Sequence, residues 1–444
     1  MSIAPRRAFP ARAVVSRLAS GLITSDLARD LRRGLGRRPG PPVVEYFHQV
    51  DDPYSHLAAQ MLGLLARRYG ATVRPWLVPP PDAAAAPERE RLAAYALRDA
   101  GRLAAEYGLA FPPGARSPSP ERARAANAEL AAGLAVDGFA ERAVAVGARL
   151  WAGEAAADEA DGAAEAGAVA ALAEGEARRR RLGHYLGAMT YFEGEWFWGV
   201  DRLNHLEERL AARGFDGAPE NTPALVPYRA AGAPSAGDLH VGLDAGLGRG
   251  PTVELWFSFR SPYTWLAFPR VRRLARRYGA DLRLRYILPM VMRGLPVPLV
   301  KRRYILLDAK READRAGLPF GRIVDPVGAG AERALAVAHR ALALGSAEAF
   351  CEEALRAAFA EGVDLASDRG LYGVARRAGL GDAQVDEALV DQSWRAAAEE
   401  NRRALFEAGL WGAPTFRVGG AAAHWGQDRL WALEADLRAA TGRP

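Results

Sequence analysis

From Val253 to Tyr278 the chain first alternates and then winds. Val253, Leu255 and Phe257 alternate with Glu254, Trp256 and Ser258, a period of two that predicts a strand. Beyond Arg260, Ser261 and Pro262, the apolar residues Leu266, Val271, Leu274 and Tyr278 recur on one helical face. Ser261 is a residue type suited to the N-cap, Pro262 to the first helical position, and Gly279 to the position past the end. Pro269, inside the helix, predicts a kink. The strand therefore delivers the Ser261 hydroxyl to the positive end of a helix dipole, beside amides without intrahelical partners. Such a place holds an anion.

The same pattern occurs once before. VVEYFHQVDDPYSHLAAQMLGLLARRYGA, from Val43, matches TVELWFSFRSPYTWLAFPRVRRLARRYGA at a constant offset of 209 residues. Glu45 pairs with Glu254, Pro53 with Pro262 and Tyr54 with Tyr263, and the register continues through Asp99 and Asp308 to Gly108 and Gly317. The ends match too: GAMTYFEGEWFWGVDRLNHLEERL from Gly187 parallels GAPTFRVGGAAAHWGQDRLWALEADL from Gly412, with a shorter turn in the first copy. A register held this long predicts an internal duplication. Between the matching ends lie Ala-rich amphipathic runs, among them 122–150, 331–344, 347–361 and 382–408. Each half reads as strand, helix, strand, helical insert, strand hairpin and last helix.

The expected organisation is a basic N-terminal extension over 1–42, a first domain over 43–213, a Pro- and Gly-rich linker over 214–251, and a second domain over 252–444. The extension carries one amphipathic candidate helix, Ala13 to Leu35, without the continuous apolar core of a secretory signal. A loosely packed arm is expected there; a transit-like or surface-docking arm is the alternative.

Composition narrows the class. Half of the 444 residues are hydrophobic and a quarter charged, an ordinary globular balance with room for two or three domains. No run approaches 18 uninterrupted apolar residues, so no membrane span is predicted. The net charge is +6, and the compact basic run Arg178 to Arg181 has no interleaved aromatics, which reads as a solvated helix end and not a nucleic-acid site. The single cysteine, Cys351, excludes an internal disulfide framework and suggests a reducing, cytoplasmic compartment; its apolar neighbours suit packing better than nucleophilic work. The histidines (His48, His56, His184, His205, His240, His339 and His424) show no metal-ligand spacing, so no metal site is expected. Gly246, Gly248 and Gly250 precede a strand, the wrong order for dinucleotide binding.

The element order is that of a thioredoxin-like fold with an all-helical insertion, an α/β class present here as two tandem domains. SFRSPYTWLA, GAPTFRV and HWGQDRL, in that order, resemble the 2-hydroxychromene-2-carboxylate isomerases and kappa-class glutathione transferases, the DsbA-like branch of the fold. The resemblance spans Thr252 to Ala440. Thiol–disulfide members begin this helix with C-x-x-C; here Ser261 and Thr264 stand in those places, so no dithiol exists to exchange. The resemblance implies glutathione as cofactor, with Ser261 donating a hydrogen bond to its sulfur and lowering the thiol pKa. It implies a cis peptide at Ala413–Pro414, with the Ala413 backbone facing the cysteinyl part. At the start of the last helix, the N-terminal amides around Gln427 are the implied partners of the γ-glutamyl carboxylate and Asp428 of the α-amino group, with a plain helix cap as the alternative for Asp428. Lys301 is the candidate for the glycyl carboxylate, with Arg302 or Arg303 able to serve equally. Tyr263 and Trp265 are candidates for the second-substrate pocket, although Trp265 also suits the core. The implied activity is isomerisation of, or conjugation to, a small electrophilic, aromatic-derived substrate by addition of a bound thiolate. The alternative is a DsbA-like binding protein without turnover.

The first copy departs at two positions the chemistry needs. Asp52 stands where Ser261 stands, and Met189 where Pro414 stands. An ionised Asp52 still caps a helix but would repel a neighbouring thiolate by about 4 kcal/mol at 4 Å with an effective dielectric of 20. The first half is therefore expected to be a degenerate partner, packed with the second as an internal pseudo-dimer.

Overall fold

A computed structural model describes residues 10–154, 162–229, 231 and 250–443. Gly246, Gly248 and His240 lie outside the described residues. The chain resolves into two compact units: one holds the described residues of 1–29, 229–297 and 305–444, the other those of 30–228 and 298–304.

Each unit is built on a four-stranded mixed sheet. In the unit containing residues 30–228 the strands are β1 (Val43–His48), β2 (Thr72–Leu77), β3 (Met189–Phe192) and β4 (Glu195–Trp198), in the order β2-β1-β3-β4. The other unit repeats this with β5 (Thr252–Phe257), β6 (Asp281–Tyr286), β7 (Thr415–Val418) and β8 (His424–Trp425), in the order β6-β5-β7-β8. In both, the first two strands are parallel, joined through a helix (Pro53–Tyr69 or Pro262–Arg277), and the remaining pairs are antiparallel. A parallel pair needs such a crossover, whereas the last two strands can join by a tight hairpin.

The 209-residue register has a physical basis in matching ties. Tyr54 Oη donates to Asp99 Oδ2 and Tyr263 Oη to Asp308 Oδ2, each at 2.8 Å. Tyr69 Oη donates to Glu207 Oε1 at 3.0 Å, and Tyr278 Oη to Glu434 Oε1 at 3.2 Å. Gly70 and Gly279 both turn out of their helix with φ of 58° and 65°, a conformation that glycine adopts without a Cβ penalty.

The alternation along β5 does not leave one face in water. Val253 to Phe257 are all buried. Glu254 accepts from Arg285 and Arg417, and both guanidinium groups lie over the Trp256 ring, 5.5 and 5.2 Å from its centroid. Trp256 Nε1 donates to the Asn401 carbonyl of the helix Ser393–Glu407 at 2.9 Å. A polar position next to a strand thus becomes interior once its charge is paired and its ring covered.

The helical inserts are more broken than the apolar pattern suggests. The run 122–150 is interrupted between Pro120–Ala132 and Phe139–Ala152, and 382–408 between Asp382–Val390 and Ser393–Glu407. Residues 10–36 are not a loose arm. They form two helices, Pro10–Ile23 and Asp26–Gly36, and the single helix expected from Ala13 to Leu35 breaks where Thr24 Oγ1 donates back to the Ser20 carbonyl and Ser25 Oγ accepts from Ala28 N–H.

Candidate functional site

Ser261 is the N-cap of the helix Pro262–Arg277, in extended conformation with φ −93° and ψ 114°. Its Oγ accepts from Thr264 N–H at 3.2 Å and donates to the Ala413 carbonyl at 3.1 Å. One half-exposed hydroxyl thereby joins the helix start to the loop entering β7, where the Ala413–Pro414 peptide is cis. Gly412 makes that approach possible: a Cβ there would stand 2.5 Å from the Trp425 indole. Trp425 in turn packs on Trp411, ring centroids 4.8 Å apart.

Two arginines flank this corner, and the sequence pattern marked neither. Arg260 forms a paired contact with Asp325, both N–O distances 2.8 Å. Arg293, from the 3₁₀ turn Met290–Arg293, donates from Nη2 to the Trp411 carbonyl at 2.9 Å. No periodicity distinguishes such residues, since loop geometry alone brings them in. Thr264 at the second C-x-x-C position is fully buried, with Oγ1 lacking a hydrogen-bond partner.

The remaining expected residues divide. Trp265 belongs to the core, donating from Nε1 to the Pro319 carbonyl at 2.9 Å. The Tyr263 hydroxyl is held by Asp308. Asp428 is half-buried beside Gly426, its Oδ2 3.6 Å from Arg429 Nη1. Gln427 opens the 3₁₀ turn Gln427–Arg429 with its side chain turned inward. It is buried, its Oε1 accepting from Arg270 Nη1 at 2.9 Å and its Nε2 donating to Glu312 at 2.7 Å, so both ends of the amide are committed to packing. Residues 298–304 group with the unit of 30–228, and there Lys301 Nζ donates to the Ala85 carbonyl at 2.7 Å. Burial brings its ammonium down to about 8. Cys351 is buried in the core, and burial pushes its thiol up.

Residues 252–438 match the DSBA-like thioredoxin domain family. This half of the chain is a DSBA-like domain. Among curated proteins, 2-hydroxychromene-2-carboxylate isomerase from Pseudomonas putida is 28% identical over 195 residues, covering 42% of this chain and 93% of that protein. A second 2-hydroxychromene-2-carboxylate isomerase, from Pseudomonas sp. (strain C18), is 25% identical over 193 residues, covering 41% and 88%. A solved structure of 2-hydroxychromene-2-carboxylate isomerase superposes with a TM-score of 0.37 at 25% identity, covering 41% of this chain and 93% of its own.

In the other unit, the corresponding corner is built around a carboxyl group. Asp52 caps the helix Pro53–Tyr69, its Oδ1 accepting from Tyr54 N–H at 3.2 Å and its Oδ2 from Ser55 Oγ at 3.1 Å. Ser55, at the position of Thr264, is fully buried and its Oγ also accepts from Gln49 N–H (3.2 Å) and Ala188 N–H (2.8 Å). Ala188 holds φ at +52°, and the Ala188–Met189 peptide is trans. Burial raises the Asp52 carboxyl to about 7, against the hydrogen bonds from Ser55 and Tyr54 that pull it down. Nearby, burial lowers His48 to about 3 and His56 to about 4. Where the DSBA-like domain presents a neutral hydroxyl, this corner presents an acid poised near neutrality.

Proposed function

We propose that the chain is a glutathione-dependent isomerase or transferase working at the Ser261 corner, and that residues 43–213 are a degenerate copy of the domain spanning 252–444. The observation that carries this reading is a hydroxyl, in place of a thiol, at a helix N-cap facing the Ala413–Pro414 loop. With Ser261 and Thr264 in the C-x-x-C frame and Cys351 buried, the domain has no exchangeable dithiol. The two Pseudomonas relatives, isomerases by name, support the reaction class, and the matched Tyr–Asp and Tyr–Glu ties support the duplication. A reducing, cytoplasmic setting fits a lone buried cysteine.

Glutathione bound here supplies a nucleophilic sulfur to a small electrophilic substrate. The sulfur end of the ligand fits the residues present. By turning from the Ala413 carbonyl, the Ser261 hydroxyl becomes a donor for that sulfur and frees the carbonyl for a peptide N–H. The first-turn amides add the field of the helix N-terminus, which favours the anionic thiolate. At the peptide end, the Gln427 side chain is committed to Arg270 and Glu312, which leaves the helix-start amides for the γ-glutamyl carboxylate, and Lys301 Nζ is engaged by the Ala85 carbonyl. Arg293, already aimed at the Trp411 carbonyl, takes the place of Lys301 as the cation for a ligand carboxylate.

Two measurements test this. Arg293→Met should weaken glutathione binding about tenfold, the loss of one charge-assisted hydrogen bond, while Lys301→Met should leave the affinity within about twofold. Equal losses in the two variants would return the carboxylate to Lys301. Calorimetry should give one glutathione per chain, with Asp52→Ala changing neither stoichiometry nor affinity. Two equivalent sites per chain would refute the degenerate copy, and no binding at all would favour the non-catalytic alternative.

A further inference from the structure

Residues 1–42 contain nine arginines and two aspartates, a net charge of +7, whereas the whole chain carries +6. The excess positive charge of the protein therefore resides in this one segment. The two helices within it are docked by their polar faces. On Pro10–Ile23, Ser16 Oγ and Ser20 Oγ donate to the Ile323 carbonyl at 3.2 Å each, and Ser20 Oγ accepts from Ile323 N–H at 3.0 Å. Its large aliphatic residues Val14, Val15, Leu18 and Leu22 are left exposed. On Asp26–Gly36, Arg33 Nε donates to Glu195 at 2.8 Å, and Gly36 approaches the Glu193–Gly194 backbone so closely that a Cβ would stand 2.5 Å from the Glu193 carbonyl carbon. Leu27, Leu31 and Leu35, four residues apart, are 77%, 61% and 81% exposed.

Single exposed leucines are ordinary, but aliphatic residues at helical spacing along one helix, as at Leu27, Leu31 and Leu35, form an apolar stripe. Most amphipathic helices turn that face to the body of the protein; these do the reverse. The charge decides what covers it. A second copy would bring one +7 segment against another, whereas an anionic surface complements it. Arg37 and Arg38, just beyond the second helix, are exposed. Leucines on one side with arginines at the margin are what an interfacial helix needs: the aliphatic side chains enter the acyl boundary and the guanidinium groups meet lipid phosphates.

We propose that residues 10–38 dock this protein on an anionic lipid bilayer surface. The mode is peripheral, since among the described residues no helix is long and apolar enough to cross a membrane. The test is sedimentation of the full chain with phosphatidylcholine vesicles, with and without phosphatidylserine. The anionic vesicles should retain about tenfold more protein, with the difference shrinking as salt rises and the Debye length falls from about 30 Å at 0.01 M to about 8 Å at 0.15 M. The triple variant Leu27→Glu, Leu31→Glu, Leu35→Glu should abolish retention with an unchanged circular dichroism spectrum, because these side chains are exposed. Arg37→Glu with Arg38→Glu, which leaves the leucines in place, should weaken it several-fold. Equal retention by neutral vesicles, or retention by the triple variant, overturns the proposal. So does a dimer in solution that the triple variant dissociates, which would make the face a contact between copies.

Discussion

Ser261→Ala is expected to leave glutathione bound and to slow turnover by about 10²–10³-fold, the usual effect of removing one donor aimed at a developing anion. Binding persists because the peptide contacts lie away from Oγ, while the thiolate loses its donor. The ultraviolet absorbance of the thiolate, followed against pH, should show the bound thiol pKa lowered in the wild type and moved back towards its free value in the variant. The substitution also removes the cap on Thr264 N–H, a loss of about 1 kcal/mol of stability, so melting must be measured alongside turnover. Ser261→Thr separates the two effects by keeping both cap and hydroxyl, and should retain most activity. Ser261→Asp keeps the cap but places a carboxylate beside the sulfur, as at Asp52, and should raise the thiol pKa. An unshifted thiol pKa in the wild type would sink the mechanism.

Local chemistry was legible and side-chain direction was not. Ser261, Pro262 and Gly279 announce the start and end of their helix because capping depends on the few residues around a terminus. The matched register announced that Tyr54 and Tyr263, or Asp99 and Asp308, do the same job, and the shared Tyr–Asp bond is that job. The direction of the Gln427 side chain was not legible, because Arg270 and Glu312 arrive from helices far away in the chain and take both ends of its amide. The Lys301 ammonium is likewise held by a carbonyl 216 residues distant, which no local pattern shows.

The faces of helices and strands are a third case. Amphipathicity told that residues 13–35 have two sides, but which side meets the protein is fixed by partners such as the Ile323 carbonyl and Glu195. Along β5, period two told which residues point each way, but the burial of Glu254 and Trp256 depends on Arg285, Arg417 and Asn401. Arg293 carries no sequence signal at all, since a 3₁₀ turn has no periodicity to read.

Asp52→Asn is expected to stabilise the protein at neutral and alkaline pH while changing little in acid. Asp52 has an ordinary carboxyl value of 3.8 in the unfolded chain and about 7 in the fold. Below about pH 4 both states hold the proton and the residue contributes nothing to pH dependence. Between about 4 and 7 the unfolded chain releases its proton and the folded one keeps it, so stability falls as pH rises. Above 7 the loss is complete, with a ceiling of about 4 kcal/mol at 1.36 kcal/mol per unit. His48 and His56 act with the opposite sign. Their folded values, about 3 and about 4, lie under the ordinary 6.5, so below about 6.5 the unfolded chain gains protons that the fold refuses, and acid removes stability. The wild-type curve therefore mixes opposing slopes, and the acid limb belongs to the histidines. The difference between wild type and Asp52→Asn cancels them. Asn caps a helix about as well as Asp, so the difference isolates the titration. In urea unfolding at about pH 4, 6 and 8 it should be small at the first and largest at the last. A difference that stays constant with pH would mean that Asp52 is ionised throughout and that its burial is not what sets its charge.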